Sequence, residues 1–349
     1  MRPKWIETTE LAAARVLFGL PPSVQVLLSG RPSVVIEGER LHPNMQLLLS
    51  LERQVGLKRS LSHELVDVAR RRMFRNTTRF ARTIPEVSAV RELTIPGPAG
   101  PMRAWHYAPE SSRPEPLLVF LHGGGFALGG LETHDYPCRV LCKTARLHVL
   151  SVDYRLAPEN PYPAAVDDAV AALRFAQNEA PALGADPNVI AMGGDSAGGQ
   201  LSAVVAQRTR GDRPPALQLL LYPTVDIGGS EWASRQLFGR GFLLTTEDIA
   251  WFDQAYTLGK DGQADPGLAP LQAADFSGLC PAIVVTCGFD PLRDEGEAYA
   301  KALEKAGNRV VAWREPGLLH GFAHMGPISR VCRQAMERTA VAVGTALRS

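Results

Sequence analysis

The sequence predicts an α/β protein: a mostly parallel sheet of eight strands, flanked on both faces by helices, with a helical cap added to it. Three observations predict this class. From Ser88 onward, short apolar runs alternate with segments of helical periodicity. The middle runs are continuously apolar rather than alternating, as strands covered on both faces must be. Glycine-rich turns follow two of these runs, at HGGGF (122–126) and GGDSAGG (193–199), where the chain must turn sharply or let two backbones approach.

The elements follow in order. Residues 1–87 carry helical periodicity and no strand, in PNMQLLLSLERQVG and LSHELVDVARRRMFRNTTRF, and are expected to form an N-terminal helical cap region. The main domain is expected over 88–349. Its first two strands, AVRELTI and MRAWHYA, are joined by the turn-forming PGPAGP and should pair antiparallel at one edge of the sheet. Six more follow: PLLVFLH, HVLSVDY, NVIAMGG, LQLLLYP, AIVVTCG and RVVAWRE. Between them stand helices at HDYPCRVLCKTAR, PAAVDDAVAALRFAQNEA, SAGGQLSAVVAQRTR and RDEGEAYAKALEKAG, the last ended by Gly307. ISRVCRQAMERTAVAVGTALRS closes the chain as a long helix. An insertion over 226–270 breaks the alternation and should pack with the N-terminal region as a lid. It contains TTEDIAWFDQAY, where Thr245 and Asp248 mark a helix start. Trp251, Phe252, Phe238 and Phe242 supply its large apolar surface.

Bulk composition narrows the function. Of 349 residues, 45% are hydrophobic and 21% charged, ordinary for a globular chain, and a net charge of +1 argues against a dedicated nucleic-acid binder. The five cysteines are an odd number with no CxxC pair, which reads as a reducing, cytoplasmic setting. Cys138 and Cys142 are expected in core packing rather than in a metal site, and no metal or organic cofactor is expected. The N-terminal stretch has early acidic residues and the Pro21-Pro22 interruption, so it reads neither as a signal peptide nor as a membrane span. The run Arg70, Arg71, Arg72, Arg75, Arg79 and Arg82 reads as a solvated helix face, with an anionic membrane or partner surface as the other reading.

The chemistry gathers around Ser196. Gly194-Asp195-Ser196-Ala197-Gly198 lies between a strand and a helix, the G-x-S-x-G nucleophile elbow that lifts a serine hydroxyl above the sheet. His122-Gly123-Gly124-Gly125 follows another strand and can offer two adjacent backbone N–H groups to a tetrahedral oxyanion. The same loop lacks the Lys-Ser/Thr of a phosphate-binding P-loop. A serine needs a base, and the base needs a carboxylate to hold its tautomer. Asp290 lies in the loop at the C-terminal end of the seventh strand, with Asp294 and Glu295 as rivals inside the next helix. His320 follows the eighth strand, with His324 as its rival one turn on.

Together HGGGF, DYRLAPENPYPAAVDD (153–168), GDSAGG, DPLRDEG (290–296) and HGF (320–322) resemble the hormone-sensitive-lipase-like carboxylesterases, the bacterial family IV esterases of the α/β-hydrolase fold. The resemblance runs from about residue 88 to the end. It implies a serine carboxylesterase acting on short- to medium-chain carboxylic esters, with Ser196, Asp290 and His320 as catalytic triad. It implies an oxyanion hole from the N–H groups of Gly124, Gly125 and Ala197, with Gly123 able to replace one loop donor. Asp153, Tyr154, Arg155 and Glu159 would be scaffold beside the site. Trp251 and Phe252 would contact a small-molecule ester substrate, without cofactor, metal, nucleic acid or stable membrane insertion. The same triad could cleave amides, carbamates or lactones, and a homodimer through the edge of the eighth strand suits the family. Gibberellin receptors share the fold but lack the triad histidine; His320 in HGF argues against a pure binding module.

Overall fold

A computed structural model describes residues 4–54, 65–78, 84–259 and 265–349, excluding the side chains of 4–11. The N-terminal part runs α1 (Lys4–Gly19), α2 (Pro22–Leu28), β1 (Val35–Ile36), β2 (Glu39–Arg40), α3 (Pro43–Gln54) and α4 (Val66–Thr78). The main body begins with β3 (Ala89–Ile95), β4 (Met102–Ala108), β5 (Glu115–Leu121), α5 (Asp135–Ala145), β6 (His148–Val152) and α6 (Ala164–Glu179). It continues through β7 (Ala185–Asp195), α7 (Ala197–Arg208), β8 (Gln218–Leu221), α8 (Ala233–Phe238) and α9 (Thr246–Thr257). It closes with β9 (Ala282–Phe289), α10 (Arg293–Lys305), β10 (Val310–Leu319) and α11 (Arg330–Ala346).

All eight strands expected from the apolar runs enter one sheet, in the order β3-β4-β6-β5-β7-β8-β9-β10. β3 pairs antiparallel with β4, and β4 antiparallel with β6, while the remaining pairs are parallel. The antiparallel edge predicted from PGPAGP is therefore present. Every residue of β5 and β9 is buried, which is why neither run alternates. Successive side chains still point to opposite faces. Leu118, Phe120 and Leu219 pack toward α5 and α11, whereas Leu117, Val119 and Met192 pack toward α6 and α7. Parallel pairing sends the C-terminal ends of β5, β7, β9 and β10 to one side of the molecule, and so gathers their loops there.

Helix ends follow their sequence signals. Thr245 and Asp248 form a reciprocal capping box at the start of α9, and Gly307, with φ +84°, follows α10.

Three expectations are corrected. The N-terminal region is not strand-free: β1 and β2 form a two-residue hairpin, too short to carry a readable alternation. It is joined to the main body by the Glu39–Arg314 ion pair and by His42 N–H donating to Gly317 O at 3.0 Å. Phe238 and Phe242 pack on Phe289 at ring separations of 5.3 and 5.5 Å, inside the main core rather than in a lid. The large apolar end of β9 needs covering, and these rings cover it. Within the arginine run, Arg71 and Arg75 are exposed as a solvated face requires, but Arg70 turns inward onto the main body; Arg79 and Arg82 lie outside the described residues. All five cysteines are buried and unbridged. Among the described residues, no helix is long and apolar enough to cross a membrane.

Candidate active site

Ser196 sits between β7 and α7 at φ +54° and ψ −118°, a conformation few L-residues adopt. The surrounding glycines let the elbow press against β5. A Cβ on Gly194 would lie 2.3 Å from Leu121 O, and one on Gly198 only 1.8 Å from the same oxygen. Ser196 N–H donates to Leu221 O at 2.8 Å, which ties the turn to β8.

The residues expected to act together meet there. His320 Nε2 lies 3.0 Å from Ser196 Oγ, and His320 Nδ1 lies 2.7 Å from Asp290 Oδ2. Asp290 is fully buried, and its other oxygen accepts Leu292 N–H at 2.8 Å. The Tyr222 ring stands edge-on to the His320 imidazole at 4.8 Å. The rivals are occupied elsewhere. Asp294 accepts Ser234 N–H and pairs with Arg293. Glu295 is buried against Arg235 at 2.6 Å and accepts Val225 N–H at 2.8 Å. His324 faces Asp195 rather than Ser196.

After β5 the glycine loop turns tightly, with Gly124 at φ +121° and Gly125 at φ +59°. Cβ atoms there would strike Leu128 O at 2.3 Å and the Phe252 ring at 2.1 Å, so both positions need glycine. Gly123 N–H donates to Asp195 Oδ1 at 2.9 Å. His134 Nε2 lies 3.1 Å from the same Gly123 N–H, which therefore has protein acceptors of its own. The N–H groups of Gly124 and Gly125 meet no protein acceptor among the described residues. Ala197 opens α7, where a helix leaves its first N–H groups without intrahelical partners.

Asp195 anchors a polar cluster that no motif announced. His134 Nε2 lies 3.1 Å from its Oδ1, while His324 Nε2 and Tyr222 Oη each lie 3.4 Å from its Oδ2. Burial works against the Asp195 carboxylate, yet the imidazoles of His134 and His324 hold its pKa well below the ordinary range. Burial lowers His134, and lowers His122 to about 3, so His122 stands neutral beside the loop. The His122 ring stacks on Tyr154 at 4.2 Å, and Tyr154 Oη donates to His122 O at 2.6 Å. By ligand type His134, Asp195 and His324 could hold a cation, their ligand atoms lying within 4.8 Å of one another. Their bonds to one another and to Gly123 already account for the arrangement.

The loop after β6 is braced by two arginines. Arg155 grips fully buried Asp168 at 2.8 to 3.1 Å, while Glu159 pairs not with Arg155 but with Arg70 of α4. Phe252 of α9 covers Gly125, and Trp251 stands edge-on to Phe252 at 5.3 Å. Val66 and Met73 of α4 pack into the same patch, over Ala69 and Leu128.

Residues 118–324 match the family model described as the alpha/beta hydrolase fold. The chain is 47% identical over 320 residues, 89% of its length and 84% of the relative's, to the carboxylic ester hydrolase LipN of Mycobacterium tuberculosis. It is 36% identical over 271 residues to the ethyl acetate hydrolase of Pseudomonas putida, covering 75% of this chain and 84% of that one. Among solved structures, the ester-hydrolase EH1AB1 from the metagenome of Lake Arreo superposes with a TM-score of 0.85 at 39% identity, covering 88% of this chain and 100% of that one. With the glycine loop, the elbow and these relatives in agreement, the chain belongs to the hormone-sensitive-lipase-like family of the α/β-hydrolase fold.

Proposed function

We infer that this chain, a carboxylic ester hydrolase of the serine class, works through Ser196, His320 and Asp290. The observation that carries the reading is the unbroken line from Ser196 Oγ through both ring nitrogens of His320 to buried Asp290, at 3.0 and 2.7 Å. Ser196 Oγ attacks the ester carbonyl carbon while its proton passes to His320 Nε2. Asp290 stabilises the resulting imidazolium. The N–H groups of Gly124, Gly125 and Ala197 receive the oxyanion, each worth roughly 10² to 10³ in rate. The carbonyl re-forms as the C–O bond to the alcohol breaks, and the alcohol leaves with the proton from His320. Water then loses a proton to His320 and attacks the acyl-serine, releasing the acid and restoring Ser196.

Residues 1–87 form a cap region over a main domain of 88–349, and the 226–270 insertion contributes α9 to that cap. The patch where α4 and α9 meet over Leu128 supports this division. Phe252 and Trp251 beside the glycine loop support a preference for short to medium acyl chains. The five buried thiols favour a cytoplasmic setting, and the edge position of β10 favours a homodimer, which sedimentation would test.

A panel of para-nitrophenyl esters from acetate to palmitate, run on wild type and Ser196→Ala, tests the reading. Hydrolysis should peak at short chains and vanish in the variant. Retained burst kinetics in Ser196→Ala would remove the serine from its role.

A further inference from the structure

We propose that Arg70, supplied by the N-terminal segment, is a positioning residue for the oxyanion loop. The inference rests on the ester-hydrolase reading above and adds a residue to it. Arg70 lies on α4, 57 positions before Ala127 in the loop that follows β5. Its Nε–H donates to Ala127 O at 2.8 Å, and one terminal nitrogen donates to Ala157 O at 2.9 Å. Both terminal nitrogens also reach the Glu159 carboxylate at 2.8 Å. A planar guanidinium can meet two carbonyls and a carboxylate together because its donors form a fixed fork. An ammonium cannot.

The two carbonyls flank the critical turn. Ala127 and Leu128 N–H groups both donate to Gly124 O, at 3.2 and 2.9 Å, and Ala157 N–H donates to Phe126 O at 2.9 Å. Phe126 itself has φ +61°, and its ring stacks on Tyr256 at 3.8 Å. The strained segment from Gly124 to Phe126 is thus held by its own hydrogen bonds from one side and by Arg70 from the other. Rotation of the Ala127 peptide would redirect the turn that aims the Gly124 and Gly125 N–H groups. The ion pair with Glu159 is half exposed and worth little alone, so the carbonyl contacts are the distinctive feature.

The contacts can be separated by mutation. Arg70→Met, Arg70→Lys, Glu159→Gln and the swap Arg70→Glu/Glu159→Arg would be measured with a para-nitrophenyl butyrate assay, beside wild type and Ser196→Ala. An alkyl boronic acid serves as the tetrahedral probe. It adds Ser196 Oγ to boron as the serine proton passes to His320, placing a borate oxygen toward the oxyanion donors. Arg70→Met should lower kcat roughly 10- to 100-fold with KM within about threefold, and weaken the boronic acid by a similar factor. Arg70→Lys should fall between Met and wild type. Glu159→Gln, which keeps both carbonyl contacts, should hold kcat within about threefold of wild type. The swap should remain impaired, because a carboxylate at position 70 would face two carbonyl oxygens. The proposal is overturned if Glu159→Gln is as damaging as Arg70→Met, if the swap restores kcat, or if Arg70→Met leaves kcat and boronic acid affinity unchanged. Should Arg70→Met not fold, Arg70→Lys decides: wild-type kcat and boronic acid affinity would overturn it. Failure of the underlying reading looks different, as wild type would then show no Ser196-dependent hydrolysis at all.

Discussion

Asp195 is the side chain on which the nucleophile elbow and the glycine loop meet. It stands one residue before Ser196, accepts Gly123 N–H, and faces His134, His324 and Tyr222 from inside the protein. Asp195→Asn would turn two acceptor oxygens into one acceptor and one donor, leaving Gly123 N–H or an imidazole without its partner. A loss of roughly 10- to 100-fold in kcat is expected, about 1.4 to 2.8 kcal/mol, with KM changed far less. Steady-state kinetics with a correctly melting variant checks it; unchanged kcat would reduce Asp195 to a bystander. The residues of the proposed triad were legible because each follows a strand in the order that the fold requires. His134 and His324 were not. They lie far apart in the chain, one opening α5 and one beyond β10, and only the closed sheet brings both to Asp195. Arg70 escaped for a related reason: a run of arginines on one helix reads as solvent-facing until another element is packed against it.

At the level of elements, continuous apolar runs exposed all eight strands of the main sheet, since burial on both faces leaves no room for polar positions. The Thr245–Asp248 signal likewise marked the start of α9. The hairpin of β1 and β2 stayed hidden because two residues cannot display a period. The assignment of Phe238 and Phe242 to a lid failed because aromatic content alone does not say which surface an insertion covers. Phe252 does cover the glycine loop, and its removal should act on chain length. Phe252→Ala should shift the preferred acyl chain upward by two or more carbons on an ester panel, about 0.8 kcal/mol per methylene buried in the space released. An unaltered preference would place the acyl limit elsewhere. Gly125→Ala is expected to remove activity by a different route, forcing a Cβ into the Phe252 ring and a side chain into positive φ. The double variant with Phe252→Ala should recover only the part due to that clash.

Across the whole molecule, the parallel core and its antiparallel edge are joined where β4 pairs with β6, and a pair of histidines is buried at that seam. His106 Nε2 lies 2.9 Å from His148 Nδ1, with the rings stacked at 5.1 Å. One nitrogen must donate and the other accept, so the arrangement needs at least one neutral ring. Burial first, and then the neighbouring His148 and Arg91, lower His106 to about 4; burial also lowers His148. Because the folded protein resists a proton that the unfolded chain takes up near pH 6.5, the unfolded state binds more protons between pH 6.5 and about 4. Stability should therefore be full above that window and decline as pH falls through it, by up to about 3 kcal/mol from His106. Urea unfolding at pH 7 and pH 4.5 would measure the decline, and His106→Gln, which cannot titrate, should lose most of it. An equal decline in both proteins would assign acid sensitivity to the carboxylates instead. The expected weak point is the β4–β6 seam, so hydrogen exchange at low pH should rise first in β3 and β4, away from the strands that carry Ser196, Asp290 and His320.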